Sequence, residues 1–214
     1  MAPRWPVVIF DLDGTLVDSV GLIVASYQHA FRTVLGREEV EAEIKTWIGK
    51  SLLGVMEENY PDHADELFRE YTQWNEAHTP EMLKEYPGIP ELASSLVENG
   101  VRVGAATSKR RGQAQWGLDL GHLGDLVPLV VAHEDVDAHK PDPQPLLLAA
   151  EKLGCSPREA VYVGDAAVDA QAAHNAGMDS IACTWGAGTE QDLIAAAPTV
   201  LVTSVDELRA VLLP

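Results

Sequence analysis

Cysteine is scarce in this chain: Cys155 and Cys183 are the only two among 214 residues. Two cysteines make no disulfide framework, although so low a count excludes neither redox compartment. They lack a paired histidine pattern, so a cysteine nucleophile is set aside. Long apolar runs are also missing. No uncharged apolar stretch reaches the roughly 18 residues of a membrane span. The apolar run near the start gives way to two acids and is too short for a leader. Positive charge is the third shortage. Lysine and arginine number 15 against 33 aspartate and glutamate, for a net charge of −18. A field of that sign repels phosphate backbones, so nucleic acid is not an expected partner. A small anionic substrate is admitted where a local cluster or a metal reverses the field. The expectation is a cytoplasmic protein, monomer or homodimer, acting on small molecules.

What is present is ordinary globular material, 46% hydrophobic and 22% charged. The length suits one domain, or one domain carrying an insertion. Apolar runs at 6–10, 101–106, 126–131, 160–164, 179–184 and 199–204 alternate with helical patterns at 89–99, 110–118, 143–153, 167–176, 190–196 and 205–213. That alternation predicts an α/β fold, a Rossmann-like parallel sheet with right-handed crossovers. Residues 17–84 interrupt it. Ser19 offers a cap for a helix that stops at Gly36, and further helical patterns occupy 38–49, 51–60 and 62–78. The expected organisation is an α/β core of 1–16 and 85–214, with a helical cap at 17–84. The cap enters after the first strand and lies over the sheet as a lid.

Ligands of open α/β sheets sit beyond the carboxyl ends of the strands. The first run, in "PVVIFDLDGTLVDS", leads to Asp11, Asp13, Gly14 and Thr15. The run 101–106 leads to Thr107 and Ser108, Lys140 lies in the loop "HKPDP", and the run 160–164 leads to Asp165 with Asp169 four residues on. Each has a bland reading. An aspartate after a strand is commonly a turn or cap residue, Thr107 can cap the next helix, and Lys140 can be a surface lysine. Two acids directly after a buried strand, with all four stations in order, outweigh those readings. Clustered carboxylates repel one another unless a cation sits among them, and a hard oxygen site with few protein ligands suits Mg²⁺. A carboxylate can attack phosphorus to form an acyl phosphate. A second can move the proton of a leaving oxygen and of water. A hydroxyl and an ammonium can hold the phosphoryl oxygens.

"DLDGTLVDS", "ATSKR", "HKPDP" and "GDAAVDAQAAHNAG" together resemble the four motifs of the haloacid dehalogenase-like hydrolase superfamily. The resemblance spans the whole chain and is nearest the phosphoglycolate phosphatase-like branch, whose helical cap follows the first strand. It implies Asp11 as nucleophile, Asp13 as general acid and base, and Thr107 and Lys140 as phosphate holders. Gly14 and Thr15 would wrap the phosphate with backbone N–H groups, with Ser108 beside them. The metal ligands would be Asp11, Asp165, Asp169 and, through its carbonyl, Asp13. Ala166 departs from the serine or threonine common after the fourth motif's first acid. The dehalogenase and phosphonate-cleaving branches both depart at the position of Asp13, so its presence favours phosphoryl transfer.

The cap would choose the substrate. Lys50, in "WIGKSLLGVM", is placed to meet a second anionic group, against a bland reading as a solvated lysine. "GKS" is no Walker loop, because Ile44 stands where that motif needs glycine. Arg32, Arg37 and Arg69 read as surface residues, and Lys109 either draws in an anion or solvates a first helical turn. His133 and His139, with Asp135 and Asp137, do not make a zinc site beside a lysine. Trp47, Leu52, Leu53 and Met56 read as cap core. The expected activity is a Mg²⁺-dependent phosphomonoester hydrolase with an aspartyl-phosphate intermediate, phosphoglycolate being the first named substrate. A sugar phosphomutase, a pyrophosphatase or nucleotidase, and an inactive binding protein stay open as alternatives.

Overall fold

A computed structural model describes residues 3–213. Strand β1 (Val7–Phe10) is buried at every position, as a strand covered on both faces must be. The chain then forms β2 (Val17–Asp18) and four helices, α1 (Val20–Leu35), α2 (Glu41–Lys45), α3 (Leu52–Asn59) and α4 (Ala64–Met82), and returns through β3 (Lys84–Glu85). Alternation resumes with α5 (Ile89–Glu98), β4 (Arg102–Ala106), α6 (Arg111–Leu120), β5 (Leu129–Val131) and α7 (Gln144–Lys152). It ends with β6 (Ala160–Gly164), α8 (Ala167–Ala176), β7 (Asp179–Cys183), α9 (Glu190–Ala195), β8 (Val200–Val202) and α10 (Val205–Leu212).

The large sheet is parallel throughout, in the order β5-β4-β1-β6-β7-β8. This is the Rossmann-like α/β architecture expected from the alternation. Successive side chains of β1 point to opposite faces. Val8 and Phe10 join one apolar core, while Val7 and Ile9 join the other with Tyr162 and Ala106. With β1 flanked by β4 and β6, the carboxyl ends of three strands converge on one place.

Two strands are shorter than their apolar runs by more than one residue. Leu126 and Val127 both donate to the Leu123 carbonyl in a turn, so β5 begins only at Leu129. The run at 199–204 ends early because the Ser204 hydroxyl caps α10, accepting from the Glu207 amide at 3.2 Å.

Helices α1–α4 have an apolar core of their own, built on Tyr27, Phe31, Trp47, Met56 and Tyr71. Tyr27 meets Trp47 and Tyr71 with ring centroids 5.3 and 4.8 Å apart; each such pair is worth about 0.5–1.5 kcal/mol beyond its buried area. The two-stranded antiparallel pair β2–β3 joins both ends of this helical segment. The helical pattern at 38–49 yields only five residues of α2. The Thr46 hydroxyl donates back to the Glu43 carbonyl at 2.7 Å, and Gly49 turns the chain at φ 88°, a left-handed conformation that glycine adopts without penalty. Helix α4 runs beyond its pattern, through Pro80 to Met82.

Candidate active site

Asp11 continues the sheet one residue past β1, its amide donating to the Val163 carbonyl at 2.8 Å. The loop that follows is tight. The Gly14 amide donates to the Val17 carbonyl at 2.9 Å, and the Thr15 amide to Leu12 at 3.2 Å. Those two amides are therefore engaged within the loop, rather than turned out to wrap a ligand. Gly14 has φ 78°, and a Cβ there would sit on the Asp165 carboxylate, so the residue is fixed by backbone and space together.

Asp11, Asp165 and Asp169 are buried, and one oxygen of each lies within 4.8 Å of the others. Asp165 accepts from the Thr15 hydroxyl at 3.1 Å and from the Ala187 amide at 2.6 Å. Thr15 thus orients a carboxylate instead of facing the open cleft. Asp169 accepts from the Ala166 amide at 3.0 Å and from Lys140 Nζ at 2.6 Å. The same ammonium lies 3.1 Å from Asp11 Oδ2 and 3.1 Å from the Tyr162 hydroxyl. Asp11 Oδ1 is the one buried side-chain polar atom without a hydrogen-bond partner among the described residues.

Burial pushes Asp11 up to about 7, with Asp169 and Asp13 adding to the rise and Lys140 and the Leu12 amide opposing it. Burial also pushes Asp165 up to about 8, reinforced by Asp169 and Asp11 and opposed by the Ala187 amide and the Thr15 hydroxyl. Burial acts to lower Lys140, but the carboxylates of Asp11 and Asp169 prevail and hold it well above the ordinary lysine range. One ammonium does not balance three carboxylates in so dry a site. The surplus negative charge, the raised Asp11 and Asp165, and the unpartnered Asp11 oxygen fit a hard divalent cation, and the all-oxygen donor set fits Mg²⁺.

Asp13 stands apart from that cluster. Its carboxylate accepts from the Ser19 hydroxyl at 2.7 Å and from Lys109 Nζ at 2.8 and 3.1 Å. Ser19 starts α1 without making a side-chain cap, because its hydroxyl is directed to Asp13. Lys109 is no solvated helix-turn residue; its side chain is 12% exposed. Thr107 is buried, and its hydroxyl accepts from the Lys109 amide at 3.2 Å.

The helical segment roofs this end of the sheet. The Ser108 hydroxyl donates to the Gly49 carbonyl at 2.8 Å, which ties the second station to the roof while Ser108 lines the cleft. A Cβ on Gly49 would lie 3.2 Å from Val168 and 3.3 Å from Ala166. The residue that departs from the family motif is therefore where the roof packs down. A cleft of about 80 Å³ lies between Asp11, Asp13 and Thr107 below and Tyr27, Trp47 and Leu53 above. Trp47, Leu52 and Leu53 all line it, while Trp47 and Met56 are also buried in the helical core and Leu52 packs against that core. On the far side of residues 48–50 a groove of about 1190 Å³ reaches Lys140. Lys50 is exposed, borders both spaces and makes no ion pair among the described residues. His133 and His139 stack on each other 4.1 Å apart, and neither joins a metal-ligand group among the described residues.

Three functional neighbours escaped the sequence reading: Ser19 as a partner of Asp13, Gly49 as a partner of Ser108, and Tyr162. Only Tyr162 left a trace, as the single hydroxyl in the apolar run "AVYVG", since a buried phenol needs a partner.

Residues 8–183 match the haloacid dehalogenase-like hydrolase family. The chain belongs to this family. Pyrophosphatase PpaX of Bacillus cereus (strain AH820) is 33% identical over 205 residues, covering 96% of this chain and 95% of that protein. A predicted phosphatase from Clostridium acetobutylicum superposes with a TM-score of 0.86 at 28% identity, over 96% of this chain and 97% of the other. A predicted phosphoglycolate phosphatase from Haemophilus somnus superposes at 0.83 with 23% identity, over 96% and 97%; that likeness concerns the fold alone. Among the described residues, no helix of this haloacid dehalogenase-like hydrolase is long and apolar enough to cross a membrane.

Proposed function

We propose that the chain is a magnesium-dependent hydrolase of small phosphate compounds that works through an aspartyl phosphate on Asp11. The observation that carries this reading is the buried, unpartnered Asp11 Oδ1 on a residue that floors the cleft, its other carboxylate oxygen lying 3.1 Å from the Lys140 ammonium. A carboxylate oxygen so placed is available to attack. Asp11 forms the new bond to phosphorus as the bond to the leaving oxygen breaks. Asp13 gives that oxygen a proton, later takes one from water, and the water oxygen displaces Asp11 to release phosphate. Thr107 and Lys140 hold the phosphoryl oxygens. Asp11, Asp165 and Asp169, with the Asp13 carbonyl, would hold Mg²⁺, which when bound supplies charge neutralisation for the phosphoryl group. Helices α1–α4 act as a lid that excludes bulk water while the leaving group departs.

The cleft is far smaller than the roughly 300–1,000 Å³ of sites for drug-sized ligands, and Lys50, Lys109 and Arg110 border it. Both features favour a compact substrate whose leaving group carries a second anion. Inorganic pyrophosphate comes first, supported by the name of the relative at 33% identity. Phosphoglycolate has the same chemistry, with its carboxylate toward Lys50. A Mg²⁺-dependent phosphate-release screen over pyrophosphate, phosphoglycolate, sugar phosphates and nucleoside monophosphates tests this. Release from the first two above the rest is expected. Isomerised sugar phosphate without release would make the protein a mutase, and no turnover of any compound would overturn the reading.

A further inference from the structure

We propose that Tyr162 is a positioning residue for Lys140, fixing the ammonium against the end of β4 so that it meets the phosphoryl group together with Thr107. This inference rests on Lys140 holding phosphoryl oxygens in the hydrolase proposed above. An ammonium has three N–H donors. Those of Lys140 have three acceptors: Asp169 Oδ1 at 2.6 Å, Asp11 Oδ2 at 3.1 Å and the Tyr162 oxygen at 3.1 Å. Two of these are carboxylates, and the nearer belongs to Asp169, away from the nucleophile. Tyr162 is the neutral third point, and it limits how far the ammonium can slide toward Asp169.

Tyr162 is itself held. Its hydroxyl donates to the Ala106 carbonyl at 2.7 Å, which leaves its lone pairs for Lys140. Strand β1 lies between β6 and β4, and Tyr162 is in register with Ile9 of β1. The side chain therefore reaches over the central strand to the last residue of β4. The next residue is Thr107. One hydroxyl thus links the stations of Thr107 and Lys140, which lie 33 positions apart in the chain (140 minus 107). Tyr162 is fully buried among apolar side chains, and that burial keeps the phenol protonated. Without its hydroxyl, one Lys140 donor would face an apolar wall and the Ala106 carbonyl would lose its partner.

The test is Tyr162→Phe, which keeps the ring, measured beside the unaltered protein and Lys140→Ala. Hydrolysis of pyrophosphate and p-nitrophenyl phosphate gives kcat and KM, and calorimetry gives the affinity for tungstate, a phosphoryl mimic. A misplaced catalytic group costs on the order of ten- to a hundredfold. The expected result is a loss of that size in kcat and in tungstate affinity, with KM changed by less than about threefold. In the Lys140→Ala background, removing the hydroxyl should have no further effect, since partners in one network are not additive. Unchanged kcat and tungstate affinity, an undiminished loss in the Lys140→Ala background, or an unfolded variant would each return Tyr162 to a core role. If the unaltered protein hydrolyses nothing, the function reading fails by itself, and the tungstate affinities still decide whether Tyr162 sets Lys140.

Discussion

Lys109 Nζ lies 2.8 Å from one carboxylate oxygen of Asp13 and 3.1 Å from the other. Both side chains are largely withdrawn from water, at 12% and 14% exposure, so the pair is less screened than a surface ion pair. The Ser19 hydroxyl donates to the same oxygen that takes the shorter Lys109 contact. In the proposed hydrolase Asp13 is the acid for the leaving oxygen, and these two partners would aim it. Lys109→Met should disturb that aim and cost about tenfold in kcat where the leaving oxygen needs a proton, well inside the range of general acid catalysis. p-Nitrophenyl phosphate, whose leaving group departs without one, should be nearly spared. Equal losses on phosphoglycolate and the aryl ester would mean that Lys109 acts on the substrate and not on Asp13.

The carboxylate cluster sets a pH dependence. Burial raises Asp11 to about 7 and Asp165 to about 8 from an ordinary value near 3.8. Below that ordinary value both residues are protonated in the folded and unfolded chains, and stability is unaffected. As pH rises toward 7 and 8, the unfolded chain has released protons that the folded one retains, so stability falls across this window. A cation among the carboxylates relieves the repulsion and displaces those protons. The melting temperature of metal-free protein should therefore drop from just above the ordinary value of 3.8 up to about pH 8, and the rise produced by Mg²⁺ should grow over the same interval. Calorimetric melts with and without Mg²⁺ check both trends. A Mg²⁺ effect independent of pH would place the ion away from Asp11 and Asp165.

Asp11→Asn should abolish turnover, because an amide cannot form the acyl phosphate. It should also remove one charge from a buried group that has no partner at Oδ1. The metal-free variant is accordingly expected to melt at or above the temperature of the unaltered protein once the pH passes about 8, where both Asp11 and Asp165 carry charge. A well-folded variant that still turns over would remove Asp11 from the nucleophile's role.

The sequence displayed the parts of the site that sit directly at strand ends. Asp11, Thr107 and Asp165 each follow an apolar run, and parallel strands bring such positions together whatever the details of packing. It concealed the parts that depend on how elements approach one another. Ser19 has the sequence context of a helix cap, and only the path of the loop from Gly14 shows its hydroxyl meeting Asp13. Thr15 and Ser108 read as phosphate neighbours, and nothing in the sequence shows that their hydroxyls also bond to Asp165 and to the roof. The fold was legible for a similar reason. Buried strands leave unbroken apolar runs, whereas the short α2 ends through a hydroxyl bond and a left-handed glycine that carry no periodicity.

The hydrogen bond from Ser108 to the Gly49 carbonyl joins the second station to residues 48–50 of the roof. Ser108→Ala removes it and should leave the sheet untouched, costing about 0.5–1.5 kcal/mol. The consequence should be local. Amide hydrogen exchange at residues 47–54 should quicken several-fold while exchange in β1, β4 and β6 stays as it was. Gly49→Ala adds a Cβ at 3.2 Å from Val168 in a left-handed conformation and should quicken exchange in the same segment further. Unchanged exchange in both variants would show that the roof is held by its apolar contacts alone.

In the proposed reaction Lys50 and Lys140 would divide the work of binding between roof and sheet. Lys140 is buried beside Asp11, whereas Lys50 is exposed at the border of the cleft and free of ion pairs among the described residues. Lys140→Ala removes charge at the reacting group, so turnover should fall on every phosphate compound alike. Lys50→Ala should instead raise KM for pyrophosphate and phosphoglycolate, whose leaving groups carry a second anion, and spare a neutral aryl phosphate. A lost charge-assisted contact of this kind is worth roughly 1.5–3 kcal/mol, on the order of ten- to a hundredfold in kcat/KM. Measuring both variants on pyrophosphate, phosphoglycolate and p-nitrophenyl phosphate separates the two roles. Equal small losses for Lys50→Ala on all three would return that lysine to the solvent and leave Lys109 and Arg110 as the cations that meet the leaving group. A loss confined to phosphoglycolate would assign Lys50 to the carboxylate, and a loss confined to pyrophosphate would assign it to the departing phosphate.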